Sequence, residues 1–483
     1  MKRIPHRLTS IVATLGPASS DGPTLGRMIE AGMDVARLNF AHGSYESHAR
    51  VVETLRREAD QRGRFVAVLQ DLAGPKLRLA TAGGRGVPLE PGQRVHLGRA
   101  LAPDAPQGTL ATTYPGIVDD CRQGDPVLFG DGAVRTRVAS RQGDGLVLES
   151  LDSGTLAAGM GVNLPETEIR TPSVTEKDWR DLAWGLEHEV DYVGLSFVRS
   201  AEDVRAVKDH VRAAGGCAQV VAKIEKPQAV ERIEAILAEA DALMVARGDL
   251  GVEMDVARVP VIQKDLIRRA ASAGLPVITA TQMLQSMITE ARPTRAEVSD
   301  VANAVFDGSD ALMLSGETAV GRDPVRAIAM MDHVIDLAED YAEQAQWPSP
   351  AAAEERYLWT ERAVVLGAAR IAHDLGVALV AALTHSGATA LLLSKRWLRV
   401  PILGISDRLD TCRRMALYRG VVPLYHPELI GQEHLAADVE GHALERKLVV
   451  PGDRILIICG QWPGRPGSTD TLRVHTVGGE GGA

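Results

Sequence analysis

Several classes of protein are excluded by what this sequence does not contain. Its 483 residues include only four cysteines, Cys121, Cys217, Cys412 and Cys459. They lie far apart with no CxxC, which speaks against a disulfide framework or a zinc knuckle and for a reducing cytoplasm. The thiols read as small buried hydrophobes. Lysine and arginine are outnumbered by aspartate and glutamate, 53 to 63, and are scattered rather than gathered into a stripe. That balance predicts no nucleic-acid partner and no polybasic membrane anchor. No uninterrupted apolar run reaches membrane-spanning length, and IVATLGP, after MKRIPHRLTS, is too soon broken to be a signal-peptide core. The phosphate loop GxxxxGKS/T is missing, and no GxGxxG opens a helix after a strand. LEHEVDY at 186–192 begins like a zinc-protease HExxH but lacks the second histidine, and reads as an ordinary helix end. What remains is small-molecule chemistry in a soluble, cytoplasmic protein, with no membrane partner.

What the sequence does contain is a repeating alternation. Eight near-continuous apolar runs, SIVATLG, DVARLNF, FVAVLQD, YVGLSFV, VVAKIE, ALMVARGD, PVITATQ and ALMLSGE, have the character of parallel strands buried on both faces. Helical patterns such as SYESHARVVETLRREADQRG and AEDVRAVKDHVRAAGG separate most of them. Eight βα units predict an α/β fold built on a TIM (β/α)8 barrel. After the third strand the text changes to short β-like pieces punctuated by Gly, Pro and Asp, which predicts an inserted small β-barrel domain over 74–169. The barrel then comprises 1–73 and 170–345. WPSPAAAEERY reads as a linker, and 346–483 as a C-terminal α/β domain with a mainly parallel sheet, its strands ALVAALT, VPILGIS, GVVPLYH and DRILIICG.

In a barrel of this kind chemistry sits at the C-terminal strand ends. Six of those ends are unusually polar: Arg37 and Asn39, Asp71, Lys223 and Glu225, Arg247 and Asp249, Thr281 and Gln282, Ser315 and Glu317. Residues two apart on a strand share a face, so Lys223 goes with Glu225, Arg37 with Asn39 and Arg247 with Asp249. Glu225 and Asp249, from adjacent strands, suit Mg²⁺, which takes one or two carboxylates and completes its octahedron with substrate oxygens and water. Arg37, Arg78 and Lys223 suit a phosphoryl group. The glycines of ARGDLG let backbone N–H groups approach an anion at a helix start. Metal, cations and hydroxyls around one anion are the parts of a phosphoryl-transfer site. Structural ion pairs are the competing explanation for any one of these residues; agreement among several strand ends tells against it.

At these residues, and over nearly the whole chain, the sequence resembles the pyruvate kinase family. TLGPAS, ARLNFAHG, KIEKP, VARGDLGVE, ATQMLQSM, RPTRAEVSDVANAVFDGSDALMLSGETA and GSTDTLRV occur in the family's order. The resemblance implies a glycolytic transferase that moves phosphate from phosphoenolpyruvate to ADP, giving ATP and pyruvate. It implies a mobile cap domain and a C-terminal domain for allosteric effectors and assembly, usually in a homotetramer. By matched motif, Glu225 and Asp249 hold Mg²⁺, with Mn²⁺ as an alternative, and Lys223 stabilises the transferring phosphoryl group. Arg37 and Arg78 hold the phosphate and nucleotide side. Gly248, Asp249 and Thr281 hold the substrate carboxylate. Thr281 and Ser315, with Glu317 nearby, belong to the path that protonates the enolate. Pro17, Asn39 and His42 match positions on the nucleotide side.

Departures from the family pattern carry information of their own. Ala41 and Leu72 replace hydroxyl residues that, with the positions of Asn39 and Asp71, hold a monovalent cation in potassium-requiring members. Lys76 stands where glutamate is usual, and its ammonium, with Asp71 and the substrate as counter-charges, is expected to replace K⁺. Met160 stands where several members carry a lysine facing the nucleotide. The loop HSGATA resembles the effector loop, with Thr384, Ser386 and Thr389 as candidates for a phosphorylated effector and Arg465 and Ser468 as weaker ones. Two other readings stand beside this one: a metal-dependent barrel lyase of phosphoenolpyruvate or 2-oxo acids, and a non-catalytic metabolite-binding relative. Pyruvate formation that depends on ADP separates the first reading from both.

Overall fold

A computed structural model describes residues 7–84, 86–345, 360–428, 434–460 and 469–479. The linker WPSPAAAEERY and the loop with Arg465 and Ser468 lie outside the described residues.

All eight expected strands form, as β1 (Ser10–Leu15), β2 (Val35–Asn39), β3 (Ala67–Asp71), β4 (Tyr192–Leu195), β5 (Gln219–Ile224), β6 (Ala242–Ala246), β7 (Val277–Ala280) and β8 (Ala311–Leu314). They close into a barrel in sequence order, β1 pairing with both β2 and β8, and every pair is parallel. β1, β3, β4, β6, β7 and β8 are buried along their whole length. Helices cover the barrel's outside, and their starts follow capping chemistry: Ser44 caps Tyr45–Gln61 and Thr175 caps Glu176–Glu187, each accepting from the N–H three residues on. The segment PQAVERIEAILAEA forms two helices, Pro227–Glu231 and Ile233–Glu239, broken at Arg232.

The insertion after β3 contains, beside a two-stranded pair of Val87–Leu89 with Gly154–Leu156, a seven-stranded sheet running from Leu79–Thr81 to Val162–Asn163. Its two edge strands meet: Leu79 N–H donates to Met160 O at 2.8 Å and Val162 N–H to Leu77 O at 3.0 Å, around an Arg78–Gly161 bridge. That union makes the sheet barrel-like and leaves fewer open edges.

The C-terminal sheet contains β9 (Leu379–Leu383), β10 (Ile402–Ser406), β11 (Val421–Tyr425), β12 (Arg454–Gly460) and β13 (Thr469–Thr476), in the order β11-β10-β9-β12-β13. Among the described residues only β13 is antiparallel. This domain plugs the N-terminal mouth of the barrel: Met415, Leu417 and Tyr418 join Val12, Leu69, Tyr192 and Met244 in one buried cluster. Tyr192 donates to Arg414 O at 2.8 Å, and a buried ion pair links Lys395 to Asp310 at 2.7 Å. The opposite mouth, where the strands end, is the one the insertion adjoins.

Candidate active site

β3 delivers Asp71 at its last residue, and β2 delivers Arg37 two residues before its end. Arg37 donates from Nε to Asp71 Oδ2 at 2.7 Å and from Nη1 to the Thr14 hydroxyl at 2.9 Å. From β5, Lys223 lies 3.0 Å from Asp71 Oδ1 and 3.0 Å from Glu225 Oε1, and donates to the Ser196 hydroxyl at 2.6 Å. Ser196 in turn donates to Leu72 O at 2.7 Å. Glu225 accepts from Phe197 N–H at 2.9 Å. Asp71, Lys223 and Glu225 are 1%, 8% and 2% exposed, so this is a buried chain of alternating charge rather than a solvated surface pair.

The charges shape one another. Burial alone would raise the Asp71 carboxyl, but Lys223 and Arg37 outweigh it and hold the group below the usual carboxylate range. Lys223 is disfavoured by burial, yet Asp71 and Glu225 hold its ammonium above the ordinary lysine value. Burial, helped by the neighbouring Asp249 carboxylate, pushes Glu225 up against the pull of Lys223. Three carboxylates, Asp71, Glu225 and Asp249, stand against two cations, Arg37 and Lys223, so the site is short of positive charge.

Asp249 lies in the helix Arg247–Glu253 that follows β6, and among the described residues no hydrogen bond or ion pair engages its carboxylate. A free carboxylate beside a buried one fits a divalent cation. No group of three or more His, Cys, Asp or Glu converges among the described residues, so further ligands of such a cation would come from substrate and water.

Arg247 does not share a strand face with Asp249, because β6 ends at Ala246 and the helix turns the arginine away. Its guanidinium instead donates to Thr281 O at 2.6 Å and to Asp300 at 2.8 Å. Thr281 and Gln282 both have positive φ, 73° and 56°. For a β-branched residue that is strained, at a cost of about 1–3 kcal/mol. The Arg247 contact and the Gly248 N–H, which donates to Thr281 Oγ1 at 2.8 Å, hold the strained turn in place. A Cβ on Gly248 would meet Thr281 Oγ1 at 3.3 Å.

Ser315 stands just past β8, and Glu317 is fully buried with both oxygens on backbone amides, Leu284 at 3.0 Å and Ser315 at 2.7 Å. Glu317 therefore braces two strand-end loops. Asn39 accepts from Ala41 N–H at 3.1 Å and shapes the turn after β2. Pro17 and His42 are exposed beyond β1 and β2, and Arg78 is exposed with its guanidinium on Gly159 O at 3.0 Å. Lys76 is exposed one turn beyond β3; its N–H donates to Gly74 O at 2.9 Å. Met160 packs into the cap core. At the C-terminal loop, Thr384 accepts from Gly387 N–H at 2.9 Å and Ser386 from Ala388 N–H at 3.4 Å, while Thr389 donates to Glu361 at 3.1 Å.

Sequence reasoning missed Thr14 and Ser196, although both are polar residues closing apolar runs. A cavity of about 620 Å³, lined by the segment 166–170 that leaves the insertion and by Lys226, includes none of Arg37, Asp71, Lys223, Glu225 or Asp249, and two of its cations pair with acids of its own lining, Arg232 with Glu168 and Arg170 with Asp120.

A capped (β/α)8 barrel with a buried lysine between carboxylates at its strand ends, next to a free carboxylate and an arginine, defines a phosphotransferase enzyme. The family model described as pyruvate kinase, barrel domain, matches residues 6–328, and that described as pyruvate kinase, alpha/beta domain, matches 362–475. A pyruvate kinase of Mycobacterium tuberculosis is 39% identical over 473 residues, covering 98% of this chain and 99% of its own. One from Geobacillus stearothermophilus is 38% identical over 474 residues, with 98% and 80% covered. The crystal structure of a pyruvate kinase from Cryptosporidium parvum superposes with a TM-score of 0.90 at 31% identity, covering 98% and 96%. The chain belongs to the pyruvate kinase family.

Proposed function

We propose that the strand-end cluster transfers the phosphoryl group of phosphoenolpyruvate to ADP. The observation that carries this reading is the buried Arg37–Asp71–Lys223–Glu225 chain with Asp249 beside it. Glu225 and Asp249 would hold Mg²⁺ or Mn²⁺, which would supply Lewis-acid neutralisation of the charge on the phosphoryl group. Lys223 faces the transferring group, and its raised pKa keeps it cationic at every working pH, so it stabilises charge without giving up its proton. Arg37, fixed by Asp71 and Thr14, binds a phosphate oxygen. The bond from phosphorus to the enol oxygen breaks, a bond to the ADP β-phosphate oxygen forms, and the enolate carbon takes a proton through Thr281 and Ser315 to give pyruvate. Asp249 N–H and the Thr281 hydroxyl hold the carboxylate, the Gly248 N–H being engaged by Thr281. Pro17, Asn39, His42 and Arg78 line the nucleotide side.

The same reading assigns the monovalent charge to Lys76. Asp71 already has two cations, so the counter-charge of Lys76 is the substrate anion. Effector binding at 384–389 falls to Ser386 and the loop's backbone, since the Thr389 hydroxyl is engaged by Glu361. A cytoplasmic homotetramer completes the proposal. Pyruvate release from phosphoenolpyruvate, ADP and Mg²⁺ in potassium-free buffer, balanced with a bulky inert cation and then supplemented with K⁺, tests it. Full activity without K⁺ is expected. Activity that appears only with K⁺ removes the role of Lys76, and no activity in either buffer removes the reaction.

A further inference from the structure

Glu253 closes the helix that carries Asp249, is 3% exposed, and joins three parts of the chain that the reaction must keep aligned. Its Oε1 accepts from Lys226 Nζ at 2.6 Å and from Asn163 Nδ2 at 2.8 Å. Lys226 is the residue after Glu225, and Asn163 ends the last strand of the inserted domain. The Lys226 ammonium also lies 5.8 Å over the Phe197 ring, and Phe197 supplies the N–H that holds Glu225. Phe197 has a positive φ of 55°, a conformation that needs external support. Glu253 Oε2 is buried without a hydrogen-bond partner. An ionised group this deep with one oxygen unserved is costly to keep, and a neutral side chain of the same shape would avoid part of that cost. Through Lys226, Glu253 therefore reaches Glu225 both along the chain and by way of Phe197, and it reaches Asp249 along its own helix.

We propose that Glu253 is a positioning residue that sets the spacing of the Glu225 and Asp249 carboxylates and couples that spacing to the inserted domain through Asn163. This rests on the reading that Glu225 and Asp249 hold the divalent cation. Outer partners of metal ligands are commonly worth about 10–100-fold in affinity, so Glu253→Gln is expected to weaken Mn²⁺ binding to the substrate-free protein about tenfold, measured as free Mn²⁺ by electron paramagnetic resonance. Asn163→Ala removes only the bond from the inserted domain and is expected to weaken it about threefold, the low end of one hydrogen bond.

Glu253→Gln leaves Lys226 as a lone buried cation and is prone to misfold, so the paired Glu253→Gln with Lys226→Met, free of that charge, is measured beside it. Affinity that stays low in a double variant of wild-type thermal stability supports positioning; affinity restored together with stability reduces Glu253 to a structural ion pair and overturns the proposal. Wild-type affinity in Glu253→Gln or in Asn163→Ala also overturns it, for the spacing and for the coupling respectively. Asp249→Asn separates the two levels. If it leaves Mn²⁺ binding intact, the metal assignment itself fails; if it abolishes binding while Glu253→Gln does not weaken it, only the present proposal fails.

Discussion

Replacing Asp71 by asparagine removes the negative charge shared by Arg37 and Lys223. Both cations stay in place, Arg37 keeping Thr14 and Lys223 keeping Glu225 and Ser196. Removing one partner of a buried ion pair costs about 3–5 kcal/mol, and the surviving contacts favour the lower figure. For a barrel-sized domain about 3 kcal/mol lowers Tm by roughly 6–12 °C. The sign with pH follows from the directions of the shifts. Asp71 titrates below its unfolded value, so its contribution is present above about pH 4 and is lost as pH falls through its folded value. Lys223 titrates above its unfolded value, so its contribution is present below about pH 10 and is lost only as pH rises through its folded value. Differential scanning calorimetry of wild type and Asp71→Asn should therefore give a Tm gap that is constant from about pH 5 to 9 and narrows in acid. A gap below about 2 °C, or one that drifts across that plateau, refutes the ion-chain account.

Two further substitutions probe the frame around the cluster. Gly74→Ala puts a Cβ on a residue with φ of 65° and 2.6 Å from the Phe197 ring. Left-handed backbone and overpacking together cost about 2–4 kcal/mol, and the displaced Phe197 should loosen Glu225, so both Tm and Mn²⁺ affinity are expected to fall; unchanged values contradict this. Glu317→Gln exchanges one acceptor for a donor that faces a backbone N–H, expected to cost about 1–3 kcal/mol in thermal unfolding and to lower kcat through the Thr281 and Ser315 loops; a change in neither contradicts the bracing role.

The barrel was legible because each strand is an apolar run long enough to be buried on both faces, and because polar residues terminate those runs. Lys223 in β5 and Glu225 just past its end keep the strand period, and the two lie 3.0 Å apart. The same rule failed for Arg247 with Asp249, where the strand stops one residue earlier and helical geometry takes over. β13 escaped the strand reading because it lies at a sheet edge with a single buried residue, leaving no apolar run to notice. Glu253 and Lys226 were invisible as a pair because their contact spans 27 residues and depends on how one helix settles against one strand end. The capping and bracing carboxylates, Glu317 among them, look like catalytic acids in sequence; only their backbone partners distinguish them.

The central claim is that a buried, permanently charged Lys223 at the barrel's strand ends drives phosphoryl transfer to ADP. Its most direct test is the ADP-dependent release of pyruvate by wild type and Lys223→Met, with Mn²⁺ affinity measured on the same samples. The account predicts a loss of at least about 100-fold in rate, with Mn²⁺ affinity kept or raised because Asp71 and Glu225 lose their cation. A Lys223→Met enzyme within about threefold of the wild-type rate, or pyruvate released equally without ADP, would contradict it.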